Sequence, residues 1–105
     1  MPKRALVIGS GFGGIAAALR ARKMGFDVTL IERLDQLGGR ARTFERDGHV
    51  FDAGPTVITA PFLFDELFEL FGRDLKDYAE ILPVSPWYRY EFNDGSRLNY
   101  GGSVD

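Results

Sequence analysis

Arg4-Ala5-Leu6-Val7-Ile8-Gly9-Ser10-Gly11-Phe12-Gly13-Gly14 runs from an apolar segment into a cluster of glycines, and Ile15-Ala16-Ala17-Ala18-Leu19 follows at once. Ala5 to Ile8 carries no polar side chain. That suits a strand covered on both faces, as in a parallel sheet. From Gly13 to Met24 the residues favour helix. Arg20, Arg22 and Lys23 fall in its last turns, where the helix dipole favours cations. Gly25 is placed to cap the end. Val28-Thr29-Leu30-Ile31 predicts a second apolar strand, and Glu32 closes it.

Strand, glycine turn, helix, strand and acid follow in that order. Gly9, Gly11 and Gly14 fit G-x-G-x-x-G, and Glu32 stands 18 positions beyond Gly14. The expected spacing to the acid is about 20 in a dinucleotide-binding unit. Each part has a task. Gly9 permits the tight turn. Gly11 lets backbone approach a pyrophosphate. Gly14 lets helix and strand pack closely. The helix N-terminus offers N–H groups and partial positive charge to phosphate. Glu32 is expected to accept hydrogen bonds from the hydroxyls of an adenosine ribose, and it would repel a 2′-phosphate, which disfavours NADP.

The next stretch separates FAD from NAD. Arg33-Leu34-Asp35-Gln36-Leu37-Gly38-Gly39-Arg40 places a second glycine pair just past the acid. An NAD unit more often begins another helix there. A glycine pair followed by arginine offers a second backbone approach, with a guanidinium to pair with phosphate. Six of the 13 glycines lie in these two loops, which argues against random scatter.

The two loops resemble the fingerprint and the following glycine-pair motif of the flavin amine oxidase superfamily. Phe51-Asp52-Ala53-Gly54-Pro55-Thr56 resembles a segment of bacterial-type carotenoid desaturases, and Pro83 to Tyr90 with Asn93-Asp94-Gly95 resembles a later one. The likeness covers nearly the whole chain and is to the phytoene desaturase (phytoene dehydrogenase) family. It implies non-covalent FAD, hydride transfer to the flavin, and an apolar polyene as substrate. It also implies that Gly9, Gly11, Gly14, Glu32, Gly39 and Arg40 touch the ADP half, and that Gly54, Pro55 and Thr56 lie nearer the flavin. Phe12, Gly13, Arg33 and Gly38 complete the candidate cofactor-binding set. No catalytic residue is assigned. Asp52, ahead of a Gly-Pro turn, is expected to fix the loop rather than to act as a base.

Composition narrows the field. The chain has 105 residues, 13 basic and 15 acidic side chains, no cysteine and one histidine. No basic patch dominates, so nucleic acid is not an expected partner. Cysteine chemistry is excluded, no metal site is expected, and His49 is expected to be a surface residue of a turn. No apolar run has membrane-spanning length. The N-terminus enters a strand directly, which predicts a cytoplasmic location, with the parent protein peripheral on a membrane at most.

Beyond the first unit, Ala41 to Arg46 and His49 to Phe51 predict a hairpin around Asp47-Gly48. Pro61 starts and Gly72 stops an amphipathic helix. Its acids Asp65, Glu66 and Glu69 oppose a broad apolar face that includes Phe64, Leu67, Phe68 and Phe71. The acids disfavour insertion into anionic lipid, which leaves core packing or a substrate channel. Tyr88 to Phe92 and Arg97 to Tyr100 predict a second hairpin, with Tyr88, Tyr90 and Phe92 on one face packing in the core.

The expected fold class is thus α/β: a Rossmann-like FAD-binding βαβ unit with hairpins and an amphipathic helix. Residues 1–59 would belong to the FAD-binding domain, and 60–105 would open the substrate or membrane-facing domain. The family's chains are several times longer. The 105 residues are therefore expected to be an N-terminal fragment of a two-domain flavoprotein, inactive alone and prone to self-associate. A different FAD oxidoreductase of the superfamily and a stand-alone, non-catalytic nucleotide-binding module are the alternatives.

Overall fold

The computed structural model describes residues 1–101. The polar stretch Gly101-Gly102-Ser103 thus lies mostly outside the described residues. Strand β1 (Arg4–Ile8) leads through the glycine loop into helix α1 (Phe12–Lys23), and strand β2 (Asp27–Ile31) returns parallel to β1. The register pairs Ala5 with Val28 and Ile8 with Ile31. A parallel pair needs a crossover, and α1 supplies it. The helix stops as its sequence directs. Gly25 takes a φ of 91°, its N–H donates to the Arg22 carbonyl, and the Phe26 N–H donates back to Ala21. These are the two bonds of a Schellman cap, and the positive φ is why glycine stands there.

Beyond β2 the chain forms a 3₁₀ turn (Gly39–Ala41) and a hairpin of β3 (Thr43–Arg46) and β4 (His49–Asp52). The hairpin turn is the expected Asp47-Gly48, both residues having positive φ. Strand β3 begins two residues later than Ala41. Gly38 and Gly39, with φ of 107° and 59°, turn the chain, and the Ala41 N–H closes back on the Gly38 carbonyl. Extended backbone resumes only at Arg42. His49 is exposed and opens β4.

Helix α2 (Phe62–Glu69) starts after Pro61, and Gly72, at φ 65°, caps it with a second pair of Schellman bonds, Gly72 to Glu69 and Arg73 to Phe68. It lies against α1. Phe64 meets Phe12 edge-to-face with ring centres 5.4 Å apart, and Arg20 pairs with Glu66 at 2.7 Å. Both partners of that ion pair are about half exposed, so it contributes less than about 1 kcal/mol. Phe64, Leu67 and Phe68 are half-buried, whereas Phe71 stays exposed. A 3₁₀ turn (Leu75–Asp77) buries Leu75 beneath α2, and the Asp74 carboxylate caps it by accepting from the Lys76 N–H. Strands β5 (Tyr88–Glu91) and β6 (Arg97–Tyr100) form the last hairpin, and Asp94 organises its turn by accepting from the Ser96 N–H and hydroxyl.

Burial departs from the apolar pattern of the sequence in two places. The β1–β2 sheet is covered on one face only, by α1. Ala5 and Val7 are half-buried, whereas Leu6 and Ile8 on the other face are 60% and 81% exposed. Tyr88, Tyr90 and Phe92 do not pack in a core; they lie on the surface, each more than half exposed. The cause is the same in both places. The three sheets have two strands each and do not join, and the radius of gyration is 18.3 Å. A compact chain of this length has about 13 Å. Nothing among the described residues reaches the open faces. No helix among them is long and apolar enough to cross a membrane.

Candidate functional site: two glycine loops and an anchored carboxylate

The first loop is set by the strand register. Because Ile8 pairs with Ile31, the Gly9 N–H donates to the Ile31 carbonyl at 2.7 Å, and Glu32 comes to lie beside the loop. Gly9 takes a φ of 97°. A Cβ on Gly14 would overlap the Gly9 carbonyl, so the helix can approach the turn only with glycine there. Gly11 is the N-cap of α1, in extended conformation and with no side-chain cap. The Ile15 N–H makes the first intrahelical bond, to the Gly11 carbonyl. The N–H groups of Phe12, Gly13 and Gly14 precede it, and no acid occupies the first turn. That end is arranged to receive an anion.

The second loop lies directly on the first. The Gly38 N–H donates to the Ser10 carbonyl at 2.9 Å, and a Cβ on Gly39 would come within 2.9 Å of Gly11 Cα. The third loop joins them. The Ala53 N–H donates to the Arg42 carbonyl at 2.9 Å, and a Cβ on Gly54 would run into the Arg40 carbonyl. Three segments far apart in sequence thus meet backbone to backbone, and glycine is what lets them.

Between them opens a cleft of about 750 Å³, lined by Gly11, Phe12, Gly13, Gly38, Arg40 and Gly54, with Ala41, Arg42, Ala53 and Pro55 completing the wall. Arg42 braces the second loop through its guanidinium, which donates to the Gly39 carbonyl at 3.1 Å. No carboxylate among the described residues pairs with Arg40. A second cleft of about 570 Å³ shares Phe12, Gly13, Ala41 and Pro55 with the first and is mostly apolar. Thr56, Val57, Ile58, Leu63 and Phe64 line it, with Asp52 at its wall. The pair of clefts suits a ligand with an anionic segment and an apolar or aromatic one. Among the described residues no cluster of His, Asp or Glu could hold a metal ion.

The candidate residues therefore divide. Gly11, Phe12, Gly13, Gly38, Arg40, Gly54 and Pro55 line the first cleft, and Thr56 lines the second. Gly9, Gly14 and Gly39 shape the walls from behind. Arg33 lines neither cleft. Glu32 lies at the loop's side with its carboxylate already engaged. Its Oε2 accepts from the Ser10 N–H at 2.9 Å and the Ser10 hydroxyl at 2.5 Å, and its Oε1 accepts from the Leu34 N–H at 3.0 Å. The Ser10 hydroxyl first, then the Leu34 and Ser10 N–H groups, hold the Glu32 carboxyl down at about 2. The group is ionised at every pH at which the protein would work. Ser10 is 1% exposed. Sequence reasoning passed over Ser10, Ala41, Arg42 and Ala53. Only Arg42 carried a signal, as the second cation in Arg40-Ala41-Arg42.

Comparison with known proteins agrees with this geometry. A family model described as an NAD(P)-binding Rossmann-like domain matches residues 7–73. The chain is 51% identical over 98 residues to a lycopene-forming phytoene desaturase of Pantoea ananas, covering 93% of this chain and 20% of that protein. It is 43% identical over 102 residues to a neurosporene-forming phytoene desaturase of Cereibacter sphaeroides, covering 97% and 20%. It is also 43% identical over 97 residues to a 4,4′-diapolycopene oxygenase of a Methylomonas species, covering 92% and 20%. The chain spans about one fifth of the length of these curated relatives. The resemblance drawn from the two glycine loops and the Phe51–Thr56 segment is thus borne out along almost the whole chain. With the βαβ unit, its glycine fingerprint and the match over residues 7–73, the chain belongs to the NAD(P)-binding Rossmann-like domain family.

Proposed function

We propose that this chain is the N-terminal, FAD-binding part of an oxidoreductase that desaturates carbon–carbon bonds of phytoene or a related carotenoid precursor. The observation that carries the reading is the meeting of the two glycine loops and the Gly54 loop around one cleft, at the uncapped end of α1. An NAD unit more often begins another helix after the acid. The second glycine pair with Arg40, and the third loop beside it, fit a longer cofactor whose pyrophosphate lies between them. Bound FAD would supply the hydride acceptor, and the chain's own residues would hold it and exclude water. Gly11, Gly13 and the first-turn N–H groups would face the pyrophosphate, and Arg40 would neutralise it. Glu32 would accept from the ribose. Gly54, Pro55 and Thr56 would face the flavin half, where the apolar second cleft opens.

The relatives support a polyene as substrate, since two of them are named for phytoene and one for diapolycopene. In this reading residues 60–105 begin the substrate-binding domain. The protein is cytoplasmic and touches a membrane at its surface, because a polyene partitions into lipid. The relative named as an oxygenase favours a second reading, an FAD-dependent oxidation of a carotenoid other than desaturation.

Glu32→Ala in the full-length protein should weaken FAD binding roughly tenfold or more, the scale of one hydrogen bond to a charged acceptor. The loss should be the greater because the substitution also releases Ser10. Fluorescence titration of the apoprotein measures it, and an unchanged affinity would sink the assignment. Incubation of the holoenzyme with phytoene, and chromatography of the products, separates the two readings. New conjugated double bonds support desaturation, and an oxygenated product supports the second.

A further inference from the structure

We propose that Ser10 is a positioning residue that leaves Glu32 a single acceptor site for the cofactor, so that the site recognises only one of the two adenosine ribose hydroxyls. The proposal rests on the cofactor reading above and sharpens it. An ionised carboxylate has about four acceptor sites, two on each oxygen. In Glu32 both sites of Oε2 are taken by Ser10, through its N–H and its hydroxyl, and one site of Oε1 is taken by the Leu34 N–H. The Arg33 N–H adds only a weaker contact to the carboxylate, so one site on Oε1 remains for a strong donor. A ribose offers two neighbouring hydroxyls, and only one of them can donate there.

Ser10 is built for this work. It is the most buried of the described residues, at 1% exposed, and it ties two segments to its own loop through three hydrogen bonds. Its N–H and hydroxyl hold the acid at the end of β2, and its carbonyl accepts from Gly38 of the second glycine loop. The carboxylate is therefore fixed in rotation by the same residue that fixes the two loops against each other. An alanine or glycine at this position would keep the backbone bond to Glu32. Without the hydroxyl, one site on Oε2 is released and the carboxylate is free to turn.

The test uses apoprotein prepared from the full-length protein, titrated by calorimetry with ADP, 2′-deoxy-ADP and 3′-deoxy-ADP. One deoxy analogue should bind roughly tenfold or more weakly than ADP, and the other within about twofold of it. In Ser10→Ala that preference between the two analogues should shrink to about twofold or less, because both hydroxyls can then reach the carboxylate. A merely structural role for Ser10 would lower the affinity for all three nucleotides alike and leave their ratios as they were. Equal affinity for the two analogues in the unmodified protein overturns the proposal and leaves the cofactor reading standing. Unchanged ratios in Ser10→Ala, with circular dichroism showing a folded protein, overturn it as well. If ADP does not bind at all, the cofactor reading falls and the proposal falls with it.

Discussion

Gly14→Ala in the full-length protein should destabilise the fold by about 3 kcal/mol, at the upper end of the usual cost of overpacking. The added Cβ would overlap the Gly9 carbonyl, which is backbone and is itself held by the bond from the Gly9 N–H to Ile31. To make room, α1 must lift from the turn, and the contacts of Val7 with the helix go with it. For a protein stable by perhaps 5–15 kcal/mol this is a large fraction of the total. Gly13→Ala is the control, because a Cβ at Gly13 meets nothing within 4 Å and alanine favours helix. Urea unfolding of the two variants checks the contrast. Equal midpoints would show that the close approach of helix and turn is not what Gly14 serves.

Gly11→Val should do the opposite: keep the fold and lose the cofactor. Gly11 has a φ of −70° and a ψ of 177°, which any residue adopts, and its Cβ would approach nothing nearer than Gly39 Cα at 4.0 Å. Gly11 lines the first cleft at the N-terminal end of α1, so the valine methyls would narrow the space for a phosphate there. A clash of about 1–3 kcal/mol corresponds to a loss of about five- to 150-fold in affinity. Thermal unfolding of the apoprotein should stay within about 2 °C of the unmodified protein, while flavin retention on purification falls away. A folded variant that keeps its full yellow colour would put the phosphate site elsewhere.

These two glycines also show what could be read from the chain in advance. The βαβ unit was legible because its signals are local. An apolar run makes β1, a glycine cluster makes the turn, Arg20 to Lys23 and Gly25 end α1, and a second apolar run makes β2. The same holds for the hairpin at Asp47-Gly48 and the stop at Gly72. Ser10 was not legible, because its importance depends on register. The spacing from Gly14 puts Glu32 near the loop, but only the pairing of Ile8 with Ile31 brings its carboxylate onto the Ser10 N–H and hydroxyl. The 3₁₀ turn at Gly39–Ala41 was missed for a related reason. Ala41 and Arg42 read as the start of a strand, but the positive φ angles of Gly38 and Gly39 hold the chain in a turn against the first loop. Burial was misjudged on the aromatic face of β5, whereas the open outer face of β1 is what apolar strands with few neighbours in this stretch should show.

The central claim is that the two glycine loops and the Gly54 loop form one site for FAD. The most direct measurement is the identity of the nucleotide released when the purified full-length protein is denatured, read by absorbance and mass. The account predicts FAD, non-covalently held, close to one per chain. Release of NAD or NADP in its place, or a colourless protein that takes up no FAD when it is supplied, would contradict it.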